Sequence, residues 1–415
     1  MEAGASPKIW NIASTLRGFY DDNYNSAHHK TGSFGFELSP SASVNESYQQ
    51  TDIGIRYTFG MYYYVQRADT GQDPLDYTHQ GDLWLDHAFN ERLKLNIQDS
   101  VVVAQDPQLL QGGAVNRSNG NNVNNSATIT LSAQWTRQFS TATHYGNNLV
   151  NYTGSENTNN TAQFGIPGSN PSNADLLNRV DQNFGTDFQW QIQPETMAFI
   201  GYNFDWVLYT GNAPIAQNIN NITGPGGAVI PYYSSSARNS YTHYGYVGLS
   251  EEFSPNLSGM GRVGVSYTDV YNDPVSPYNS LAPYADINLT YTYTPGSYVQ
   301  VGFTQNQNAT DVVAPGSNGQ LTQYQESSIF YMDVNHQFTP KLSGSLVNQY
   351  AYSVYKDGAY GGTGDNSIST GVNFNYQINR NFSANAGYNF NDLSSSISGR
   401  SYNRNVVYLG LGANY

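Results

Sequence analysis

From Ile53 to Val65 every second residue is large and apolar: Ile53, Ile55, Tyr57, Phe59, Met61, Tyr63 and Val65. Between them stand Gly54, Arg56, Thr58, Gly60, Tyr62 and Tyr64. A period of two belongs to a β-strand with one face in apolar surroundings and the other in polar ones. The pattern returns along the chain. Ile287, Leu289, Tyr291 and Tyr293 oppose Asp286, Asn288, Thr290 and Thr292, and Val299, Val301 and Phe303 oppose Tyr298, Gln300 and Gly302. Ile368, Val372, Phe374, Tyr376 and Ile378 oppose Ser369, Gly371, Asn373, Asn375 and Gln377. The first such strand reads Ile9 to Tyr20, and the last Tyr402 to Tyr415. That last strand puts Val407, Leu409, Leu411, Ala413 and Tyr415 on one face, with Arg404, Val406, Tyr408, Gly410, Gly412 and Asn414 on the other.

The connections alternate in length. Short ones such as Gln193-Pro194-Glu195, Thr294-Pro295-Gly296-Ser297 and Phe338-Thr339-Pro340-Lys341 carry the residues that preset or tolerate turn geometry. Between them come long connections rich in Asn, Gly, Asp and Pro, including 106–125, 154–174, 211–237, 309–319 and 392–401. Counting gives about 18 strands, or 16 if one hairpin is miscounted. Short turns on one rim and long loops on the other are the asymmetry of a transmembrane antiparallel β-barrel. About ten residues at ~3.4 Å each, tilted ~40°, cover about 26 Å, the height of a barrel's apolar band. Charged residues make up 12% of the chain, and mean hydropathy is −0.53. The charged share is about half of the usual ~25%. No apolar run approaches the ~20 residues of a spanning helix, but alternation hides a barrel's membrane face from hydropathy. One all-β barrel over 1–415 is expected, with its first strand near 9–20 and its last near 402–415. With a strand beginning so soon after Met1, no separate plug domain is expected.

Tyr is abundant at 35 copies, against 18 Phe and 5 Trp, and Phe89, Phe139, Phe253, Phe338 and Phe382 fall near strand ends as in an interfacial aromatic girdle. With its C-terminal aromatic on an alternating strand, its Tyr and Asn content and its short turns, the chain resembles the β-barrel porins of bacterial outer membranes. The resemblance covers the whole length and rests on architecture, so it carries no functional residues across. It implies an outer-membrane location, contact with outer-membrane lipid, and a terminal aromatic read by the barrel-assembly machinery. An even strand count puts both termini in the periplasm. Met1 leads into E-A-G-A-S-P without a signal-peptide core, so the numbering is expected to start at a mature or recombinant N-terminus.

The formal net charge of −14 argues against nucleic acid as a partner, and the absence of cysteine removes thiolate chemistry. Gly259-Met260-Gly261-Arg262-Val263-Gly264 has dinucleotide-motif spacing but lies inside an alternating strand, where glycines relieve crowding. His28-His29 beside Asp21 and Asp22, and the Asp357–Asp365 segment, read as solvated loop and turn rather than metal sites. No G-x-S-x-G elbow is present, so no enzyme activity, cofactor or metal is expected.

The informative residues are charges opposite an apolar face. By parity Arg17, Glu37, Arg56, Asp82, Asp86, Lys94, Asp187, Asp205, Arg262, Asp286, Asp333 and Arg404 face the lumen. An Arg or Lys toward lipid at mid-membrane costs roughly 2–4 kcal/mol. The expected function is passive passage of small hydrophilic solutes or ions. A second reading is a conduit in exopolysaccharide export, with saccharides or an export complex as partners. A third is an anchor whose loops bind. In the last strand, parity predicts that Leu409 and Leu411 reject arginine while Gly410 accepts serine.

Overall fold

The alternating segments form strands throughout the computed structural model, which describes residues 8–69, 71, 73–104, 121–153, 171–211, 214–217, 232–274 and 278–415. The first are β1 (Trp10–Asp21), β2 (Ser33–Ser47), β3 (Thr51–Tyr64), β4 (Leu75–Asn90), β5 (Leu93–Ala104) and β6 (Asn122–Gln134). Next come β7 (Phe139–Tyr152), β8 (Arg179–Gln191) and β9 (Thr196–Tyr209), then β10 (Pro214–Gln217) and β11 (Tyr232–Ser234), which pair only with each other. The remainder are β12 (Ser240–Ser254), β13 (Leu257–Val270), β14 (Tyr278–Thr294), β15 (Ser297–Asn308) and β16 (Tyr324–Thr339), followed by β17 (Leu342–Lys356), β18 (Gly364–Gln377), β19 (Phe382–Ser395) and β20 (Tyr402–Asn414).

Eighteen of these strands make one antiparallel sheet. It closes where β9 pairs with β12 across the β10–β11 insertion, and where β20 pairs with β1, Leu16 opposite Leu411. One expected boundary moves. Asn122–Asn125, read from sequence as the end of a long polar connection, begins β6, with Asn122 between Ala104 and Tyr152. Ladder partners on both sides satisfy its backbone, which outweighs the low strand propensity of Asn. Residues 116–120 of that Asn-rich run lie outside the described residues.

The two faces of the wall differ as the parity requires. Leu409 and Leu411 are 69% and 61% exposed, while Gly410 between them is buried. Leu16, Ile55, Phe188, Ile200, Val263 and Ile287 continue this outward apolar surface around the barrel. A continuous apolar surface of that extent is stable only against a hydrocarbon medium or another apolar surface. On the short-turn rim Phe89, Phe253, Phe338 and Phe382 are exposed, Phe139 packs on Trp190, and Trp10 packs on Tyr415. The motif Gly259–Gly264 lies within β13, where a Cβ on Gly264 would collide with the carbonyl oxygen of Gly245.

At the long-loop rim the wall departs from a simple cylinder. β14 pairs with β15 only as far as Ala285 opposite Gln305, although β14 runs on to Tyr278 and β15 to Asn308. Pro283 lies in the stretch of β14 that has lost this partner, where the missing N–H of a proline does no harm. Beyond Gln305, the β15–β16 hairpin leans across the inner faces of β13 and β14. Thr268 donates to Gln307, Tyr324 donates to Ser280 at 2.6 Å, and Gln323 Nε2 reaches Asp273 at 2.9 Å. The connection 309–323 is therefore folded inward, with Val313, Leu321 and Thr322 inaccessible to solvent.

Val313 and Leu321 join Tyr152, Leu176, Leu177, Ile215, Tyr233 and Ala237 in one buried cluster. Leucines 176 and 177 belong to a one-turn helix, α1 (Asn173–Leu177), started by a capping box in which Ser172 and Asp175 satisfy each other's backbone N–H. Three long connections thus share a hydrophobic core at this end of the barrel.

Candidate functional site

The twelve charged positions lie on strand faces opposite the exposed apolar ones, and cross-strand register pairs many of them. Arg17 stands opposite Glu37 and reaches it at 3.2 Å, while Arg56 stands opposite Asp82 at 2.9 Å. Asp82 also accepts from Ser100 at 2.8 Å and from Gln80. Arg262 is in register with Asp286, yet its ion pair is with Asp187 at 3.7 Å, and Asp187 accepts from Tyr246 at 2.7 Å. Arg404 binds Asp21 at 2.6 Å. Asp86, Asp205 and Asp333 accept from the neutral donors Asn96, Asn203 and Tyr298 at 2.7, 2.8 and 3.2 Å. Lys94 sits near the short-turn rim, level with Ala88 and Ser132. Asp21 escaped the sequence reading because it was placed in the loop after the first strand.

Two cavities lie along the inner face of β1–β4 and β17–β20. The first, of about 590 Å³, reaches from Asp21, Tyr64 and Asp76 near the long-loop rim to Arg17, Asn373 and Tyr408. The second, of about 480 Å³, runs from those same three residues to Ser343 and Ser383 near the short turns. Arg17 therefore stands at the junction. Its guanidinium lies 4.7 Å over the Tyr408 ring, donates to Asn385 at 3.0 Å and pairs with Glu37, while Tyr408 donates to Asn373. These three partners fix a side chain that would otherwise sweep the passage. Amides line the remainder, notably Asn389 and Asn391 above and Asn375 and Asn385 below. These asparagines share one parity in β18 and β19, a signal that a search confined to charges passes over.

Across the barrel, β8, β9, β12 and β13 and the infolded β15–β16 hairpin enclose a third cavity of about 210 Å³. Arg238 closes it from the loop side. It is 2% exposed, lies 4.3 Å over Tyr209 and donates to the carbonyls of Thr310 and Leu176. Burial lowers its pKa, and Arg179 nearby adds to that, but an arginine keeps its proton at any physiological pH.

The infolded connection is tied to the opposite wall by Arg400, whose Nη1 and Nη2 hold Asp311 at 2.7 and 2.8 Å and whose Nε holds Asp365 at 2.9 Å. Burial works against that charge, but Asp311, Tyr355 and Asp365 outweigh it and raise the Arg400 pKa well above its ordinary value. Sequence reading gave Arg400 no role, since its partners are 89 and 35 residues away.

The remaining sequence candidates are accounted for locally. Asp21 and Asp22 are taken by Arg404 and Lys30, and His28 contacts the Ser401 carbonyl at 3.0 Å. Among the described residues no group of three or more His, Cys, Asp or Glu is placed to hold a metal ion. Asp357 and Gly358, at φ 61° and 67°, form a left-handed turn, and Asp365 is bonded to Arg400 and Tyr355.

A closed 18-strand wall with an apolar outside and a polar inside is the architecture of an outer-membrane barrel. The sequence matches the family model described as "Putative beta-barrel porin 2" over residues 11–415. The chain belongs to this porin family. It is accordingly an outer-membrane β-barrel of porin type, crossing the bilayer with strands. A comparison with curated protein sequences finds no match. Among solved structures it is similar to Acinetobacter baumannii OccAB4, at 13% identity over 98% of this chain and 99% of that one, with a TM-score of 0.43. It is also similar to Pseudomonas aeruginosa OpdK solved with vanillate, at 10% identity over 98% and 99%, TM-score 0.46. A ferric enterobactin receptor (PfeA) mutant from the same organism aligns at 9% identity over 97% and 81%, TM-score 0.44. Likeness at these identities and scores says nothing about what passes through this porin.

Proposed function

We propose that this porin lets small hydrophilic solutes and ions cross the outer membrane passively. The observation that carries the reading is the pair of cavities meeting at Arg17, Asn373 and Tyr408, which together span the barrel from one rim to the other. Their walls present amides, hydroxyls and ion pairs, which replace a solute's water contacts without holding it tightly. The short turns face the periplasm with both termini, and the long loops face outward. Outer-membrane lipid covers the apolar belt, and the barrel-assembly machinery acts on the terminal strand with its Tyr415. Nothing in this reading requires catalysis or nucleic acid.

Four arginines of the lumen set already have carboxylate partners. Asp86, Asp205 and Asp333 accept from neutral groups, so the wall carries a modest negative excess and a weak preference for cations follows. The test is single-channel recording of the purified porin in planar bilayers. Steady stepwise current with weak cation selectivity is expected, and silence from properly folded barrels would overturn the open-passage reading. A second reading, an export conduit for saccharide chains that opens only with a partner complex, draws on the infolded connection 309–323. Silence relieved by such a partner would favour it.

A further inference from the structure

The outer face of the wall is apolar along most of its circumference, but on β6, β7 and β8 it carries amides. Asn125 stands level with the exposed Val101, while Asn148, Asp181 and Asn183, the sequence neighbours of Asn147 and Gln182, line a cavity on the lumen side. Asn125, Asn147 and Gln182 therefore point outward. They lie nine residues from Gln134, eight from Phe139 and nine from Gln191, the short-turn ends of their strands. At about 2.6 Å of axial rise per residue on a tilted strand this is roughly 21–23 Å, inside the ~25 Å apolar band. Leu149 and Val180 continue that band above them, and the exposed Tyr145 and Phe184 below.

Other outward amides of the belt find partners within the wall. Asn348 donates to Thr370 at 2.7 Å, Asn405 accepts from Tyr388 at 2.6 Å, and Asn125 donates to Asp99 on β5. Asn147 and Gln182 differ. They face each other across β7 and β8, both are half-buried rather than enclosed, and neither has a hydrogen-bond partner among the described residues. Acyl chains offer an amide neither donor nor acceptor, and polar side chains at such depth bond across to another protein surface. Halfway round the sheet, β18 presents Ile368 at the same height, nine residues from Gln377 and 38% exposed.

We infer that the outer face of β6–β8 is where two copies of this porin lie side by side in the membrane, amide to amide. Copies inserted with the same orientation are related by an axis along the membrane normal, and rotation about that axis preserves height. A row of amides at one level therefore meets the same row on the second copy. An amide both donates and accepts, so the row is its own complement. Asp99, six residues from Leu93 on the adjoining strand, adds a carboxylate that accepts from the unpaired amide N–H groups. The exposed rings of Phe184 and Phe188 and the side chain of Ile129 supply apolar surface to pack around the row. This pairing is independent of what passes through the lumen.

The chain has no cysteine, so a single introduced thiol reports its own neighbours. In outer membranes treated with a mild oxidant, Asn147→Cys should give a disulfide-linked dimer, while Ile368→Cys should not. Equal cross-linking at both positions would mean random collision, and none at Asn147 would mean that this face meets lipid or a different protein; either result overturns the inference. Light scattering of folded barrels in mild detergent gives the second arm. The wild type should have the mass of a dimer, and a monomer at every concentration would sink the pairing. Asn147→Leu combined with Gln182→Leu should raise the dimer's dissociation constant by roughly one to two orders of magnitude, since a two-fold axis counts each change twice. Leucine suits a lipid face, and heat-modifiable gel mobility checks that the double variant folds. A folded double variant as dimeric as the wild type would place the contact on another face and overturn the assignment.

Discussion

Removing Arg400 is the sharpest test of how the infolded connection is held. In Arg400→Ala, Asp311 and Asp365 lose a guanidinium that contacts them at three points between 2.7 and 2.9 Å, and the Asp365 side chain is 1% exposed. Breaking a buried pair by deleting one partner costs about 3–5 kcal/mol, because the other charge stays behind uncompensated. Opposing release are Val312, Val313 and Leu321, each nearly inaccessible. Fully burying such side chains contributes roughly 1.5–3 kcal/mol each, or about 5–9 kcal/mol for the three. The apolar contacts outweigh the lost pair, so the connection should remain mostly folded in while its released population rises by roughly two to nearly four orders of magnitude. In single-channel records this appears as frequent excursions to a larger conductance that are rare in the wild type. Limited proteolysis should begin to cut within 309–323. Arg400→Lys, which keeps the charge but not the two-pronged geometry, should fall between the two. Removing one of the two orphaned acids as well, in Arg400→Ala with Asp311→Ala, should make the records partly quieter. An Arg400→Ala porin with unchanged current and unchanged protease resistance would refute the reasoning.

The outward leucines should not tolerate charge: Leu409→Arg and Leu411→Arg each face a cost of roughly 2–4 kcal/mol and should lower the folded outer-membrane fraction, read by heat-modifiable mobility. Gly410→Ser, which parity alone would pass, should also impair folding, since a Cβ there would lie 2.7 Å from the Leu16 carbonyl oxygen and 2.5 Å from Arg17 Cγ; normal folding of this variant would show that the strands can part. Neutralising Asp286 with Asp333 should reduce cation preference, and neutralising Arg56 with Arg262 should increase it by freeing Asp82 and Asp187, with both effects fading as salt shortens the Debye length below about 10 Å; reversal potentials across a salt gradient decide. A protease-cleavable tag at Pro194 or Pro340, in short turns, should be inaccessible on intact cells, whereas tags near Gly168 and Gly226, outside the described residues, should be cut; surface cleavage at Pro340 would invert the proposed orientation.

The wall was legible in the sequence because a barrel strand carries its whole environment in two-residue steps. Leu409 and Leu411 declare a lipid face without reference to any other part of the chain, and the turns around Pro194 and Pro340 mark where strands reverse. The inward tilt of the β15–β16 hairpin was not legible, because strand parity is the same whether a hairpin continues upward or leans inside. Pro283, in the middle of an alternating strand, was the available mark, and only the loss of pairing beyond Ala285 gives it meaning. The site divides in the same way. Arg17 and Glu37 could be placed by parity, but their junction with Tyr408 and Asn373 joins residues from both ends of the chain. The shared packing of Val313, Leu177 and Ile215 depends on three separate loops, and local composition, rich in Asn and Gly, pointed away from any shared core. Crowding at Gly410 is a property of the neighbouring strand and of Arg17, which no reading of β20 alone contains.

A hoop of paired strands has a fixed bore, since widening it means breaking a ladder along its full height. Where β14 outlasts its pairing with β15, the upper wall instead resembles a rolled sheet whose inner edge laps beneath its outer one. A roll changes diameter by slippage of that lap, resisted here by the side-chain bonds around Ser280 and Thr268, by the Arg400 tether and by the shared loop core, while the hoop below keeps its circumference. The mouth of this porin at this seam is thus closed by side-chain contacts, and its waist by strand ladders.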